Sequence, residues 1–524
     1  MRSTLAVCAV IAFLSYAHGA RILGLFPHTG KSHQMVFEPL LKKLAERGHQ
    51  MTVASFFPLK NPPANYTEIS FEGIAGLGVE TIDLGWFENL NLIYKIPIVG
   101  EIYKQITDFT PLSGMALNVC GKAIDWPPLI DALKKEYDIV ILENFNSDCM
   151  LGLLHVYGIK VPVISLSSSN VLPWATERIG AVDNPSYLPV VSAEWTAPFT
   201  FMEKMKNTFL HFFFKLWYFY DIQEKERAVI EKFYGSKVPL YELSKNITLM
   251  MINTFYPLNG VRPLLPGFVE VGGMHLDNGR KPIPEYIERF INESEHGVVL
   301  FSFGSLIKTS TIPKYKEEVI IKALSKLKQR VIWKYEESGE EGTLTGNILK
   351  VRWLPQFELL RHKKVVAFIA HGGLLGMTEA VSAGKPMLVV PFFGDQPSNA
   401  AAAESVGFAK VLRYSDLTEE SLSAALESVL SAEMRLQART VSKIWNDRQN
   451  PPLETAVYWV ERVIRWGPVA KLHSPARDLA FYEYALLDVA AAYIAIILTT
   501  LALFWYSLSK LSRLFLKDSK QKLH

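Results

Sequence analysis

The sequence predicts an α/β protein with two doubly wound domains in tandem, followed by one helix that crosses a membrane. Two repeats of a strand–helix–strand pattern, separated by a segment rich in proline and glycine, predict the two domains. A run of 21 uncharged residues at 489–509 predicts the membrane helix. A chain of 524 residues is also longer than one hydrophobic core usually supports.

The first domain begins with a βαβ unit, which favours a parallel sheet covered by helices. An apolar strand is followed by an amphipathic helix that ends at Gly48, and then by a second strand. Two further apolar runs predict more strands. We assign residues 20–275 to this domain. The predicted strands are Arg21–Phe26, Gln50–Ser55, Tyr137–Leu142 and Val161–Leu166, with a helix over Ser32–Arg47.

The second domain follows a cluster of prolines and glycines at 257–284, which is typical of a boundary. Strands and helices then alternate again, and we assign residues 276–480 to this domain. A ligand is expected where the carboxyl ends of the strands in the two domains face each other. The predicted strands are Gly297–Phe303, Arg330–Tyr335, Val365–Ala370 and Met387–Val390, with helices over Tyr315–Leu327 and Leu374–Ala383.

Both chain ends carry targeting features. Residues 1–19 have the layout of a secretory signal, with Arg2 before a short apolar run and small residues at the cleavage region. Residues 486–509 predict a single transmembrane helix, and a basic tail at 510–524 follows it. Because basic residues favour the cytoplasmic side, we predict a type I membrane protein with a lumenal body.

The compartment is indicated by short motifs. Lys522 and Lys520 stand third and fifth from the carboxyl end, which resembles the dilysine retrieval signal of endoplasmic reticulum membrane proteins. Glycosylation sequons agree with a lumenal glycoprotein. They begin at Asn65, Asn246 and Asn292.

Composition excludes several classes of partner. A net charge of +3, without a basic stripe that interleaves aromatic residues, argues against nucleic acid. Outside the predicted signal the cysteines are Cys120 and Cys149, which lack metal-ligand spacing. Whether these two form a disulfide stays open.

An aromatic-rich segment runs from Phe199 to Tyr220, with three lysines among its residues. Three interpretations stay open. The segment is a large core helix, an apolar wall for a lipophilic ligand, or a surface helix that dips into a membrane.

Several short motifs between Trp353 and Gln396 suit a nucleoside diphosphate. His371-Gly372-Gly373 joins a strand to a helix, where backbone N–H groups and the helix dipole favour an anion. Trp353 can stack on a base. Glu379 lies two turns beyond His371 on the same helix face and can accept ribose hydroxyls. Asp395-Gln396 follows a strand and can read sugar hydroxyls.

The order and spacing of these motifs resemble the signature of the UDP-glycosyltransferase family. Phe301-Ser302-Phe303-Gly304-Ser305 resembles a second donor loop of that family, and the resemblance covers nearly the whole chain. It implies a glycosyltransferase-B fold, a UDP-sugar co-substrate, and no metal or other cofactor. It also implies roles for single residues: Trp353 and Gln356 bind uracil, Glu379 binds ribose, His371 and Gly373 bind diphosphate near Gly304 and Ser305, and Asp395 and Gln396 bind the sugar.

One position departs from the family pattern. Many members carry asparagine two residues after the second glycine, where this chain has Leu375. A side-chain contact to phosphate or sugar is therefore lost, although the backbone N–H remains. The pair Leu374-Leu375 resembles invertebrate members of the family.

The resemblance also implies that His33, which follows the first strand, is the general base. An acceptor hydroxyl must lose its proton as it attacks the anomeric carbon, and imidazole titrates near neutral pH. An acidic residue should orient the imidazole. Glu143 directly follows a strand and Asp148 lies five residues later, and we slightly favour Asp148. His28 on the same loop is a competing base.

We therefore expect inverting, metal-independent transfer of a sugar from a UDP-sugar to a hydroxyl of a small lipophilic acceptor, in detoxification or conjugation. The resemblance to invertebrate members favours glucose over glucuronate. The main alternative is a catalytically silent lumenal carrier of lipophilic ligands. A sugar-nucleotide epimerase of similar architecture fits the membrane anchor and the aromatic-rich half poorly. Homo-oligomerisation stays open.

Overall fold

In a computed structural model, which describes residues 19–88, 92–277, 279, 281–470 and 472–521, the body of the chain is built on two seven-stranded sheets. The first has the order β3-β2-β1-β5-β6-β7-β8, and all its strands are parallel. The strands before the second sheet are β1 Arg21–Phe26, β2 Gln50–Ser55, β3 Tyr66–Ser70, β4 Ile82–Asp83, β5 Ile139–Glu143, β6 Val163–Ser167, β7 Ile247–Ile252 and β8 Phe268–Glu270.

The central strands of the first sheet are apolar and buried along their whole length, as expected of a parallel sheet with helices on both faces. Ile22 on β1 pairs with Met51 on one side and with Ile139 on the other. The helices of this part are α1 Lys31–Glu46, α2 Val99–Phe109, α3 Pro111–Ala123, α4 Pro127–Leu133, α5 Cys149–Val156, α6 Phe201–Trp217, α7 Glu224–Tyr234, α8 Leu240–Ser244 and α9 Tyr256–Asn259.

The second sheet has the order β12-β13-β11-β9-β14-β15-β16, and only β12 runs antiparallel to its neighbour among the described strands. Its strands, with β10, are β9 Val298–Ser302, β10 Ile307–Lys308, β11 Arg330–Lys334, β12 Thr343–Thr345, β13 Ile348–Val351, β14 Val365–Ala370, β15 Met387–Val389 and β16 Ala409–Val411. The helices are α10 Glu285–Asn292, α11 Lys314–Ser325, α12 Gln356–Arg361, α13 Leu374–Ser382, α14 Gln396–Val406, α15 Glu419–Leu430, α16 Ala432–Asn446 and α17 Pro452–Trp466.

The predicted fold class is confirmed, with two doubly wound sheets in tandem. The segment expected to be a linker contains more structure than its prolines and glycines indicate, because β8 adds to the edge of the first sheet. The boundary placed between residues 275 and 276 falls between the two sheets and stays a prediction.

The helix α17 belongs to the second half of the sequence but packs on the first sheet. Its buried residues Val457 and Val460 share a core with Ile22 on β1 and Phe37 on α1. The predicted boundaries place this segment in the second domain, within 276–480. The chain therefore crosses between the domains twice, which fixes one domain against the other at a hydrophobic surface.

A short strand pair also joins the two halves. On β4, Ile82 pairs in parallel with Ile307 on β10. Just before it, the backbone N–H of Glu80 donates to the carbonyl of Ser305 over 2.8 Å. These bonds tie a loop of the first domain to the predicted donor loop of the second.

The carboxyl-terminal residues form a separate unit from Ser474 onward. It contains α18 Phe481–Tyr484 and α19 Leu487–Gln521. Within α19, Leu487–Leu514 is long and apolar enough to cross a membrane, and it is exposed along its length. This agrees with the transmembrane helix predicted at 486–509. The predicted signal at 1–19, except Gly19, and the last three residues of the tail lie outside the described residues.

Cys120 and Cys149 form a disulfide, which settles the question that the sequence left open. Their Cα atoms lie 5.7 Å apart, and the bond joins α3 to the start of α5. Both cysteines are buried in the core of the first domain.

Replacing both cysteines by serine should lower the free energy of unfolding by roughly 2–4 kcal/mol, because the bond closes a loop of 29 residues. Urea unfolding followed by circular dichroism measures the change. Dithiothreitol should destabilise the wild type to a similar degree and leave the double variant unaffected. Equal stability of variant and wild type would contradict the assignment.

Candidate active site

The first domain places a histidine and a carboxylate in contact at the point where its strand order reverses. The chain leaves β1 towards β2 and β3, whereas β5 and its successors lie on the other side of β1. Loops after β1 and β5 therefore diverge and leave a crevice, which is where doubly wound sheets bind ligands. His33, the third residue of α1, lies there with its Nδ1 atom 2.5 Å from Oε1 of Glu143, the last residue of β5.

This contact determines the state of the imidazole. When Nδ1 donates to the carboxylate, the lone pair of Nε2 is left to accept a proton. No hydrogen bond to Nε2 is found in the described part of the chain. Burial lowers the pKa of His33 to about 3 and raises the pKa of Glu143 to about 7. The imidazole is therefore neutral at pH 7, as a general base must be.

Asp148, which the sequence slightly favoured as the partner of His33, is engaged elsewhere. Its two carboxylate oxygens accept hydrogen bonds from the Arg178 guanidinium over 2.6 and 2.8 Å. Tyr218 and Gln223 also donate to it. Asp148 and Arg178 are buried, so this is an internal ion pair of the fold. The structure therefore places Glu143, and not Asp148, against His33, and the catalytic role of either acid stays a prediction.

His28, the competing base, packs against His33 with ring centroids 3.9 Å apart. The edge of Phe145 covers both rings. Burial, together with the charge that His33 can carry, lowers the pKa of His28 to about 3. Its Nδ1 atom is buried without a hydrogen-bond partner among the described residues, whereas His33 holds the carboxylate. The geometry favours His33.

Ser168 was not singled out from the sequence. Its hydroxyl oxygen lies 2.8 Å from Nδ1 of His33, and the residue follows β6 directly. Residues at or after the ends of β1, β5 and β6 thus meet at the imidazole. The run Ser167-Ser168-Ser169 after an apolar strand was a signal that could have indicated a polar site.

The second domain repeats this reversal of strand order at the predicted diphosphate loop. Its strand order reverses between β9 and β14, and the loops after these two strands carry Gly304 and His371-Gly372-Gly373. A Cβ atom on Gly373 would lie 2.4 Å from Nε2 of His371, and one on Gly304 would lie 2.7 Å from its Cε1. Both positions need glycine because the His371 ring occupies the space. Gly304 also has a φ of +77°.

Helix α13 begins directly after this loop. Gly373 at its N-cap offers no side chain, so no side chain in the described structure caps the first N–H groups of the helix. These groups and the helix dipole favour an anion such as a diphosphate. Burial and the charge of Lys334 lower the pKa of His371 to about 4, so its imidazole is neutral. Leu375 lies in this first turn and supplies only its backbone.

The predicted uracil and ribose residues lie together beside α13. The amide of Gln356 donates to the carboxylate of Glu379 over 2.6 Å. Burial raises the pKa of Glu379 to about 7, and the hydrogen bond from Gln356 opposes that shift. Trp353 is half exposed, and the ammonium group of Lys31 in the first domain lies 5.1 Å from the centroid of its ring. Trp353 therefore lies between the two domains, beside Lys31.

The predicted sugar residues begin helix α14. Asn399, which the sequence analysis did not identify, donates to Asp395 over 3.0 Å and to the carbonyl of Gly372 over 3.1 Å. The side-chain oxygen of Gln396 accepts from the backbone N–H of Phe392. Burial raises the pKa of Asp395. Asn399 thus holds the loop of Asp395 against the loop of Gly372, and its spacing of four residues from Asp395 on a helix was the available signal.

The loop at 78–83 connects the loop that precedes His33 with the predicted donor loop of the second domain. The N–H of Gly78 donates to the carbonyl of Thr29 over 2.9 Å, beside the His33 helix. Two residues later Glu80 bonds to Ser305, as described above. No periodic pattern marks this loop, and sequence reasoning missed it.

Comparisons with known proteins agree with this geometry. A family model described as UDP-glucoronosyl and UDP-glucosyl transferase matches residues 23–522. UDP-glucosyltransferase 2 of Dactylopius coccus is 35% identical over 493 residues, which cover 93% of each chain. The chain belongs to this family. UDP-glucuronosyltransferase 2A3 of Mus musculus is 31% identical over 94% of this chain and 92% of its own.

Solved structures agree with the fold of this UDP-glycosyltransferase. The glycotransferase of kitacinnamycin superimposes with a TM-score of 0.55 at 18% identity, covering 85% of this chain and 99% of its own. The calicheamicin glycosyltransferase CalG4 gives 0.53 at 17% identity, over 86% of this chain and 100% of its own. The glycosyltransferase-B fold expected from the sequence is confirmed.

Glu143→Gln should lower kcat by 10²-fold or more, because a neutral amide stabilises the imidazolium poorly; removal of such a partner costs ~10⁴-fold in serine proteases. Asp148→Asn is the matched control. It leaves the Arg178 charge without its partner and should destabilise the fold by roughly 3–5 kcal/mol while the pH dependence of kcat stays unchanged. Steady-state kinetics and thermal unfolding separate the two effects. A larger loss of kcat in Asp148→Asn at a temperature where both variants are folded would contradict the assignment.

Trp353→Ala should raise the KM for the UDP-sugar about 5- to 150-fold, since stacking on a base contributes ~1–3 kcal/mol, with little change in kcat. Isothermal titration with UDP checks the binding directly. Trp466→Ala, at an exposed tryptophan that ends α17, is the control and should bind UDP normally. Unchanged UDP affinity in Trp353→Ala would exclude the stacking role.

Proposed function

We propose that this UDP-glycosyltransferase transfers glucose from UDP-glucose to the hydroxyl of a small lipophilic acceptor with inversion at the anomeric carbon. The observation that carries the proposal is the contact of His33 with Glu143, in which the imidazole is neutral and its Nε2 atom is free to accept a proton, in the domain opposite the predicted diphosphate loop. A catalytically silent carrier of lipophilic ligands would have no need for this pair.

In the proposed reaction, Nε2 of His33 takes the proton of the acceptor hydroxyl as its oxygen attacks the anomeric carbon. The bond from that carbon to the phosphate oxygen breaks, and UDP leaves with the electron pair. Glu143 stabilises the imidazolium, as carboxylates do in other relays. The N–H groups at the start of α13 and the imidazole of His371 stabilise the charge on the leaving diphosphate.

Metal independence is part of the proposal. The described residues contain no group of three or more His, Cys, Asp or Glu side chains that could hold a metal ion. The positive end of α13 offers the electrostatic stabilisation that a cation supplies in other transferases. Activity in excess chelator tests this part.

Glucose is favoured over glucuronate on charge grounds. A glucuronate carboxylate needs a cation near the sugar. Lys334, whose charge reaches His371, is buried and paired with Glu336 over 2.6 Å, and Glu80 lies 3.7 Å away. Its charge is therefore already compensated. The relatives carry both sugars in their names, since the Dactylopius coccus protein is called a glucosyltransferase and the mouse protein a glucuronosyltransferase.

We infer that the enzyme conjugates lipophilic compounds from the lumenal side of the endoplasmic reticulum as a type I membrane glycoprotein. The apolar helix Leu487–Leu514 supports the anchor, and the disulfide supports an oxidising compartment. The lipophilic acceptor class is supported by Phe145 beside His33 and by Met115, whose sulfur lies 3.6 Å from the hydroxyl oxygen of Thr29.

The full-length enzyme in detergent, incubated with separate UDP-sugars and a mixture of phenols and flavonoids, tests the proposal by mass spectrometry. We expect a mass increase of one hexose with UDP-glucose and a much smaller signal with UDP-glucuronate. His33→Ala should abolish the product while still binding UDP. Release of no UDP from any donor would favour the carrier, and unchanged transfer by His33→Ala would remove the proposed base.

The pH dependence follows from the Glu143 carboxyl. Its pKa is raised to about 7, so it holds a proton below that pH and can no longer stabilise the imidazolium. We expect kcat to fall as the pH decreases below about 7 and to level off above it. In Glu143→Gln this acid limb should disappear, since the amide does not titrate. An acid limb near the pKa of an ordinary carboxyl, retained in the variant, would contradict the role of Glu143.

A further inference from the structure

The ends of β5 and β6 direct polar side chains at one face of the first sheet. In the parallel register of these strands, Glu143 lies opposite Leu166. Side chains alternate between the two faces of a strand, so Ser168, two residues beyond Leu166, continues on the face of Glu143. Helix α1 covers this face, since Leu166 shares a buried core with Phe37 of that helix. The same helix carries His33.

Both polar side chains reach the same nitrogen of the imidazole. Oε1 of Glu143 lies 2.5 Å from Nδ1 of His33, and Oγ of Ser168 lies 2.8 Å from it. No other hydrogen bond of this hydroxyl is found in the described part of the chain. Nδ1 is the nitrogen that must keep its proton if Nε2 is to accept one. The hydroxyl therefore lies at the atom that sets the tautomer of His33.

The neighbouring strand fixes the backbone that carries this hydroxyl. Asn253 directly follows β7, and its side-chain amide donates to the carbonyl of Ser168 over 2.9 Å. The backbone N–H of Asn253 donates to the carbonyl of Ser167 over 3.0 Å. Asn253 and Ser168 are both buried, so moving this segment would break buried hydrogen bonds. The position of Ser168 beside the imidazole is thus set by three adjacent strands.

We propose that Ser168 is a positioning residue for the proposed general base, in which its hydroxyl oxygen accepts a hydrogen bond from Nδ1–H of His33 beside Glu143. Two acceptors at Nδ1 keep the proton there and leave the lone pair on Nε2. Hydrogen bonds to a charged group are stronger than those between neutral groups, so the contact gains strength as His33 becomes an imidazolium. The inference rests on the proposed function and adds a residue to it.

The test compares Ser168→Ala with wild type in the full-length enzyme, using the UDP-sugar that supports the faster transfer. Rates of single turnovers report the transfer step apart from product release. Two acceptors are used, since 4-nitrophenol loses its proton readily and 4-methoxyphenol does not. With 4-methoxyphenol we expect the rate to fall roughly 10-fold or more, as loss of a hydrogen bond to a charged group predicts. With 4-nitrophenol the rate should fall less than about 3-fold, because this acceptor depends little on a base.

Ser169→Ala is the matched control. It removes a buried hydroxyl from the next residue, which donates to the carbonyl of Asn170 and not to His33. We expect wild-type rates with both phenols and unchanged affinity for UDP in both alanine variants. Equal losses with the two phenols in Ser168→Ala would show a general structural defect, and would overturn the positioning role.

A second pair of variants tests the hydrogen bond itself. Threonine and valine have nearly the same shape, but only threonine carries a hydroxyl. Ser168→Thr should therefore recover most of the rate with 4-methoxyphenol, and Ser168→Val should not. Thermal unfolding shows whether each variant is folded. A folded Ser168→Val that transfers as fast as Ser168→Thr would contradict the proposal.

His33→Ala, measured beside these variants, separates this inference from the proposed function. If His33→Ala loses transfer to 4-methoxyphenol while Ser168→Ala keeps the wild-type rate with both phenols, the role of Ser168 is overturned and the proposed function stands. If His33→Ala transfers as fast as wild type, the proposed base fails, and the role of Ser168 fails with it.

Discussion

The hydrogen bond between His33 and Glu143 is the constraint on which the rest of the site depends. It requires the carboxyl end of β5 beside the first turn of α1, and only the reversal of strand order at β1 leaves room for both. Burial makes the pair costly, since it disfavours both charged forms. Burial thus keeps the imidazole of His33 neutral, as the proposed general base requires.

The second domain uses the same topology to form the predicted binding site for the diphosphate. At its own reversal point it offers uncapped N–H groups and a neutral imidazole, which suit a diphosphate. Glycines at 304 and 373 are needed because His371 fills the space that a side chain would take. The bonds between β4 and β10, together with the packing of α17 on the first sheet, fix the position of one crevice relative to the other.

Most of the fold and of the predicted donor site could be read from the sequence, because the patterns that indicate them are local. Apolar runs and helical periodicity located most of the major strands within two residues, and the motifs from Trp353 to Gln396 indicated the donor half through their resemblance to the family. Contacts between residues that lie far apart in the sequence could not be predicted from it. The choice between Glu143 and Asp148 depends on Arg178, which lies 30 residues beyond Asp148 and takes up its carboxylate. The side of α6 that faces solvent could be identified only from the packing of the whole domain.

A double-mutant cycle between His33 and Glu143 tests the central claim most directly. The kcat of His33→Gln, Glu143→Gln and the double variant would be measured with one donor and one acceptor at pH 8. If the carboxylate acts only through the imidazole, the double variant should be no slower than His33→Gln alone. Losses that multiply would show that the two residues act independently, and would contradict the account.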